Sequence, residues 1–248
     1  MNLIEVTDLH VRYGAFEAVK GVSFALGKGE ILGIVGESGS GKSTIAKVLM
    51  GLEKPSSGTV SVAPGAKHRA PGSSLQMIFQ DAVGSLNPRM TVRQTLDEVL
   101  RIKGAGQATT SEGLLGLVGL SNAVLDQYPR EMSGGQCQRV SIARALACEP
   151  EVLVADEPVS ALDVSVQARV LNLLRDLRRN LGLSVLLIAH DLAVVKNVCD
   201  RICVMEKGRF VDVGDALDVF ERPQSDYTRR LLAAVPRTSC PAAGPENP

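Results

Sequence analysis

The chain has no tryptophan, only three tyrosines and five phenylalanines, so aromatics make up 3% of its 248 residues. That scarcity argues against a platform that stacks nucleobases, which needs aromatic side chains at intervals. Surplus charge is missing too, because 27 basic side chains balance 27 acidic ones. A balanced chain offers no overall field for nucleic acid or an anionic membrane surface, so neither is expected as a partner. No apolar run approaches the roughly 20 residues that a membrane-spanning helix needs. The opening Met1-Asn2-Leu3-Ile4-Glu5-Val6 has no basic stretch followed by an apolar one, so no signal peptide is read there. Cysteine is sparse and scattered: Cys137, Cys148, Cys199, Cys203 and Cys240 form no Cys-x-x-Cys pair. Reduced thiols fit that spacing better than a metal site or a disulfide framework. No internal repeat is visible. The length suits one sizeable core, with room for a subdomain.

Glycine, by contrast, is concentrated where it can do chemistry. Residues 36–43 read Gly-Glu-Ser-Gly-Ser-Gly-Lys-Ser, a complete phosphate-binding loop. A triphosphate concentrates negative charge and needs many donors at close range. Gly36, Gly39 and Gly41 let the backbone curl so that successive N–H groups point inward. Lys42 supplies a mobile ammonium for the outer phosphates, and Ser43 offers a hydroxyl to Mg²⁺. Context favours the loop over a Gly/Ser-rich surface turn. Ile31-Leu32-Gly33-Ile34-Val35 before it is a short apolar run, as a buried parallel strand would be. Ile45, Val48, Leu49 and Leu52 after it fall at helical spacing. The positive end of that helix faces the same anion.

The rest of the chain alternates strand and helix signals. Residues 3–11 and the set Val19, Val22, Phe24, Leu26 predict two early strands, with Lys28-Gly29-Glu30 turning into the loop strand. Residues 63–74 read as a loop and Leu75–Phe79 as a strand. Thr91 and Gln94 form a capping box for a helix carrying Val92, Leu96, Val99 and Leu100. Residues 104–113 read as a flexible link, Leu114–Val118 as helical, and Ser133 as the cap of a helix bearing Val140, Ile142, Ala143 and Leu146. Glu151–Ala155 and Ser184–Ala189 are short buried strands, and Val166, Val170, Leu173, Leu174 and Leu177 mark a helix between them. Residues 202–213 predict a hairpin turning at Glu206-Lys207-Gly208, and the tail from 236 is read as disordered. Such alternation implies a mainly parallel sheet covered by helices, with an added antiparallel piece and an inserted helical subdomain at about 88–150.

Two further segments carry chemistry. Val152-Leu153-Val154-Ala155-Asp156-Glu157-Pro158 puts two carboxylates at the end of a buried strand, where ligands sit in open parallel sheets. Adjacent acids there call for a cation, and Mg·ATP is the fitting partner. Asp156 can hold the metal and Glu157 can orient and polarise the attacking water, because phosphoryl transfer needs mostly positioning and charge neutralisation. Ser133-Gly134-Gly135-Gln136 opens a helix whose free N–H groups offer a second anion site. Alone, that tetrapeptide reads more readily as a capped helix start with no ligand. One chain has no need of two phosphate sites, whereas two chains exchanging them do.

These pieces, in this order, resemble the ATP-binding-cassette (ABC) ATPases over about residues 3–235. Met132-Ser133-Gly134-Gly135-Gln136 resembles the family's signature, Gln80 its glutamine loop, Ser160-Ala161-Leu162-Asp163 its D-loop, His190 its switch histidine and Tyr13 the aromatic that stacks on adenine. The resemblance implies an α/β fold with a RecA-like P-loop NTPase core of mainly parallel sheet, an antiparallel β subdomain and an inserted α-helical subdomain. It places the ATPase domain at 1–235 and a tail at 236–248. It implies ATP and Mg²⁺ as cofactors, held by Gly36, Glu37, Ser38, Gly39, Ser40, Gly41, Lys42, Ser43 and Thr44, with Ser43, Gln80 and Asp156 on the metal. Lys42, Glu157 and His190 would be catalytic, with Ser133–Gln136 acting on a second subunit's nucleotide and Asp163 linking the two sites.

Ser85-Leu86-Asn87-Pro88-Arg89-Met90 and the segment from Glu221 to Pro236 further resemble the ATPase subunits of peptide and nickel importers. That branch implies a second ATPase subunit, alike or different, two permeases, an extracytoplasmic binding protein acting indirectly, and a peripheral seat on the cytoplasmic face of the plasma or inner membrane. The cargo would be di- or oligopeptides, nickel or a metal chelate. Departures from the pattern are the short segment between Gly58 and Gln76, Ala82 where proline is common, and Cys137 beside the signature. The cysteine-rich C-terminal extension of some peptide-importer subunits is absent, so no iron–sulfur site is expected. The alternatives are an exporter ATPase and a soluble ABC protein of DNA repair or translation. The latter usually carries long coiled-coil insertions or two cassettes, neither visible here. A non-hydrolysing regulatory module is disfavoured by intact Lys42, Glu157 and His190.

Overall fold

In the computed structural model, residues 1–63, 74–104, 109–160 and 162–234 are described. The expected loop at 63–74 and the tail from 236 lie wholly or largely outside the described residues, as do Ala161 and 105–108 of the link expected at 104–113, which is helical, not a link, from Ser111 onward.

Two sheets form. The first is antiparallel, in the order β2 (Phe16–Gly27), β1 (Asn2–Tyr13), β4 (Ser57–Val62). The second has six strands in the order β5 (Leu75–Ile78), β6 (Val152–Asp156), β7 (Ser184–Ala189), β3 (Ile31–Val35), β8 (Arg201–Glu206), β9 (Arg209–Asp215). All its pairings are parallel except β8 with β9, the expected hairpin. Every residue of β3, β6 and β7 is buried. The pleat explains this, because alternate side chains enter opposite layers. Leu32, Ile34, Val152, Val154, Leu186 and Ile188 join a core with the antiparallel sheet and helix α1 (Lys42–Leu49). Ile31, Val35, Leu153, Ala155, Val185 and Leu187 join the opposite core, with helices α2 (Val92–Lys103), α3 (Ser111–Leu117), α4 (Gly134–Leu146) and α5 (Val164–Leu181). A short α6 (Leu192–Val195) follows β7, and α7 (Ala216–Glu221) and α8 (Asp226–Ala234) follow the hairpin.

The Thr91–Gln94 capping box forms as expected, and Ser133 forms another with Gln136. At three points the structure goes beyond the sequence reading or corrects it. β4 carries no reading from the sequence signals, and it pairs antiparallel with β1. Leu52 was read on the helix after the loop. The helix stops at Leu49, Gly51 takes a left-handed φ of 70°, and Leu52 is left 65% exposed. Neither α7 nor α8 was foreseen.

Candidate active site

Four functional loops leave the same edge of the parallel sheet. Gly36 follows β3, Gln80 follows β5, Glu157 follows β6 and His190 follows β7. The carboxyl ends of parallel strands are where such sheets bind ligands. Around them opens a cavity of about 290 Å³, lined by Tyr13, Phe16, Ala18, Ser38, Gly39, Gly41, Lys42, Ser43, Thr44, Gln80 and Glu157.

The loop's shape depends on missing side chains. A Cβ on Gly36 would collide with the Met205 carbonyl. Gly41 has φ 112°, and a Cβ there would sit 2.5 Å from the Ala18 carbonyl oxygen. Inside the curl, Lys42 Nζ donates to the carbonyls of Gly36 (2.7 Å) and Glu37 (2.9 Å). Burial pulls the lysine's pKa below its ordinary value, while Glu157 and Asp156 oppose that drop. Ser43 Oγ donates to Asp156 Oδ1 at 3.0 Å. Burial pushes the Asp156 carboxyl upward, Glu157 adds to this, and the Ser43 bond resists it. A buried carboxylate that disfavours its own charge is a seat for a cation.

Glu157 is the hub. Its Oε1 lies 3.8 Å from Lys42 Nζ, and its Oε2 accepts from Gln80 Nε2 at 3.1 Å and lies 3.8 Å from His190 Nδ1. Its backbone has φ 46°, a region non-glycine residues rarely occupy, and its N–H donates to Ile188 O at 3.0 Å. The pairing of Asp156 with Ile188 carries β6 up to this kink, which turns the Glu157 side chain over the cavity. Strain of this kind gathers at working sites.

Mg²⁺ and ATP fit this set. Ser43, Asp156 and the amide oxygen of Gln80 are hard oxygen ligands, the kind Mg²⁺ takes beside substrate phosphates. Among the described residues no cluster of three or more His, Cys, Asp or Glu could hold a metal ion. Gln80 presents its nitrogen to Glu157 and to Ser160 Oγ (3.3 Å), which leaves its oxygen for Mg²⁺.

Not every candidate meets at this cavity. Ser133, Gly134, Gly135, Gln136 and Asp163 do not line it. They cluster where α4 and α5 begin. Ideal Cβ atoms on Gly134 and Gly135 would lie 3.4 Å from Leu162 Cδ2 and 2.5 Å from Val166 Cγ1. The Ser133 hydroxyl accepts from Gln136 N (3.3 Å) and the Gln136 side chain accepts from Ser133 N (2.8 Å). The amides of Gly134 and Gly135 remain as the orphan donors of that turn. Asp163 caps α5, accepting from Val166 N at 3.0 Å and Ser165 Oγ at 2.8 Å, bonds that hold its carboxyl pKa below the usual value. Cys137 turns inward, buried, with its thiol toward the Pro129 carbonyl at 3.5 Å, so it leaves the signature turn whole. Cys148, Cys199 and Cys203 are also free, and burial raises the Cys203 thiol to about 12, which makes it unreactive.

Phe16, Ala18, Ser160 and Tyr227 escaped the sequence reading. Phe16 lies three positions past Tyr13 across a tight turn, and its rarity as an aromatic was the available signal. Ser160 lay within the D-loop match but was assigned no contact of its own. Tyr227 contacts the loop from 190 positions away, which no local pattern reveals.

The family model described as ABC transporter matches residues 19–160. The chain is 42% identical to the oligopeptide transport ATP-binding protein OppF of Escherichia coli, covering 98% of this chain and 90% of that protein. It is 47% identical to OppF of Lactococcus lactis, covering 95% and 81%. A putative peptide import ATP-binding protein of Brucella ovis is 46% identical over 91% of this chain and 74% of its own. Among solved structures, cbiO1 of Clostridium perfringens, part of the ABC transporter complex cbiONQ, superposes with a TM-score of 0.76 at 26% identity over 89% of this chain and 91% of its own. A dimeric post-hydrolysis state of the ATP-binding cassette MJ0796 bound to ADP and Pi gives 0.72 at 26% identity, over 86% and 98%. With more than half the chain matched by the model and relatives aligned over nearly all of it, this chain belongs to the ABC transporter family, as an ATP-binding cassette.

Proposed function

We propose that this chain binds and hydrolyses ATP as the motor subunit of an importer of di- or oligopeptides, acting on partner permeases. The observation that carries the hydrolytic reading is the position of Glu157, within 4 Å of Lys42, Gln80 and His190 at once. The peptide reading rests on relatives with peptide-transport names aligned along nearly the whole chain. Those names lend nothing to nickel or metal chelates.

Water attacks the γ-phosphorus, the bond to the β-phosphate oxygen breaks, and ADP and phosphate leave. Glu157 orients the water and polarises it by accepting its hydrogen bond, and the proton that the water gives up ends on the departing phosphate. Lys42 leaves its two carbonyls for the outer phosphates, and His190 steadies the γ-phosphate and the water. Gly36, Glu37, Ser38, Gly39, Ser40, Gly41 and Thr44 surround the phosphates, and Tyr13 stacks on the base. Ser43, Gln80 and Asp156 hold Mg²⁺, which when bound neutralises charge on the phosphates. Ser133, Gly134, Gly135 and Gln136 act on the nucleotide of a second cassette, and Asp163 links the two sites. The cassette spans 1–235, with its helical subdomain at about 88–150.

The seat we assign, from the transport-protein relatives, is peripheral at the cytoplasmic face; no described helix is long and apolar enough to cross a membrane. To the permease contact we assign a groove of about 330 Å³ whose lining includes Leu52, Met77, Phe79 and Val99 beside Gln76 and Arg144. Leu52 and Phe79 are 65% and 42% exposed there, and Phe79 adjoins Gln80.

The test is Glu157→Gln. It should keep ATP binding, lower turnover by about a hundredfold or more, and trap an ATP-dependent dimer. Hydrolysis at the parental rate would overturn the assignment.

A further inference from the structure

The C-terminal helix reaches back to the phosphate loop. Tyr227, in the first turn of α8, is 6% exposed, and its hydroxyl oxygen accepts from the Glu37 N–H at 3.0 Å. The other face of the Glu37 residue is also engaged. Its carbonyl accepts from Lys42 Nζ at 2.9 Å and from Ser40 N at 3.2 Å. One residue thus carries Tyr227 on its donor side and the phosphate-loop lysine on its acceptor side.

Helix α8 is itself pinned. The Asp212 carboxylate on β9 is 7% exposed and accepts from Gln224 N (3.1 Å), Ser225 N (3.0 Å) and the Thr228 hydroxyl. Ser225 Oγ accepts from Tyr227 N at 3.1 Å. The Arg230 guanidinium lies 6.0 Å from the Tyr227 ring centroid and 4.0 Å from Glu206, at the end of β8. β8 pairs with β3, the strand that launches the loop, and the Met205 carbonyl of β8 is the wall that excludes a side chain at Gly36. The loop is therefore gripped on one flank by β8 and on the other by α8.

We propose that Tyr227 is a positioning residue for nucleotide binding. Its hydroxyl fixes the Glu37 N–H and with it the planar Gly36–Glu37 peptide unit, whose Gly36 carbonyl accepts from Lys42 at 2.7 Å, so the loop is curled before a triphosphate arrives. This rests on the reading of residues 36–43 as the triphosphate site. Its consequence is that α8 is coupled to nucleotide affinity, and whatever displaces α8 from Asp212 loosens the loop 190 residues away in sequence.

Tyr227→Phe tests it on the full chain, because the ring and its packing stay while the acceptor goes. Mg·ATP binding by titration calorimetry should weaken about three- to tenfold, the span of one hydrogen bond. The catalytic rate at saturating ATP should stay within about twofold. Hydrogen exchange should quicken in peptides covering 36–43 and stay unchanged in those covering 226–234. An ATP affinity equal to the parent's overturns the inference. So does a weakened affinity with equally faster exchange across 226–234, which would mean that α8 has simply come loose. Should the parent chain itself fail to bind Mg·ATP, the site reading fails instead, and the two failures are told apart by that control.

Discussion

The imidazole of His10 ties together the hairpin that carries Tyr13 and Phe16 to the cavity. Its Nδ1 lies 2.9 Å from Glu17 Oε1 and its Nε2 3.3 Å from Asp8 Oδ1, while Arg12 Nε donates to the same Glu17 oxygen at 3.2 Å. From the paired strands, β2 places Lys20 opposite His10 and β4 places the uncharged Ser57 there. The hydrogen bond with Glu17 is the largest cause raising the His10 pKa, and the same bond holds the Glu17 carboxyl below its ordinary range. A raised histidine pKa stabilises the fold fully below the ordinary value of 6.5 and loses that effect as pH climbs through the folded value. The melting temperature of the parent should therefore exceed that of His10→Gln at pH 6, with the gap closing by about pH 9. Thermal melts of both proteins across that range check this, and a gap independent of pH would refute it.

Among elements, the start of α4 packs closely against the start of α5. A methyl on Gly135 would meet Val166 Cγ1 at 2.5 Å, well inside van der Waals contact. Gly135→Ala should force the two helix starts apart and cost about 1–3 kcal/mol. That is about 2–4 °C in melting temperature per kcal/mol for a chain of this size. Adding Val166→Ala should restore most of the loss, and calorimetry of the three proteins decides it. Such contacts show why the chain was only partly legible beforehand. Caps are local chemistry, so the Thr91–Gln94 box and the Ser133 cap could be read directly. β7 was bounded correctly because six buried apolar or small residues run without interruption. β4 was not, since it is an edge strand whose alternation is confined to Val60 and Val62, both only half-buried, too short a pattern to stand out. The site residues after β3, β5, β6 and β7 were each visible as motifs. Their meeting at Glu157 depends on a strand order in which β7 lies between β6 and β3, and that order is a tertiary fact. Tyr227 was invisible for the same reason.

Taken whole, the molecule holds a complete triphosphate cradle and, away from it, a helix start with two orphan amides that no group of its own cavity uses. The cassette MJ0796, alike in fold, occurs as a dimer with ADP and Pi. Two roles for Ser133 can be separated by one substitution. As a helix cap, Asp serves as well as Ser, so Ser133→Asp should keep the melting temperature within about 1–2 °C of the parent. As a donor to a phosphate of a neighbouring subunit, a carboxylate in that place meets like charge in a water-poor seam, and closure fails. Ser133→Asp should therefore bind Mg·ATP as the isolated chain with the parent's affinity, yet lose turnover and, in the Glu157→Gln background, lose the ATP-dependent dimer. Sedimentation with and without Mg·ATP, alongside binding of the nucleotide to dilute protein, reads both properties. Full turnover in Ser133→Asp would leave Ser133 as a cap alone and the orphan amides without a ligand. Weakened binding in the dilute chain would mean that Ser133 acts on its own nucleotide, although it does not line this chain's cavity.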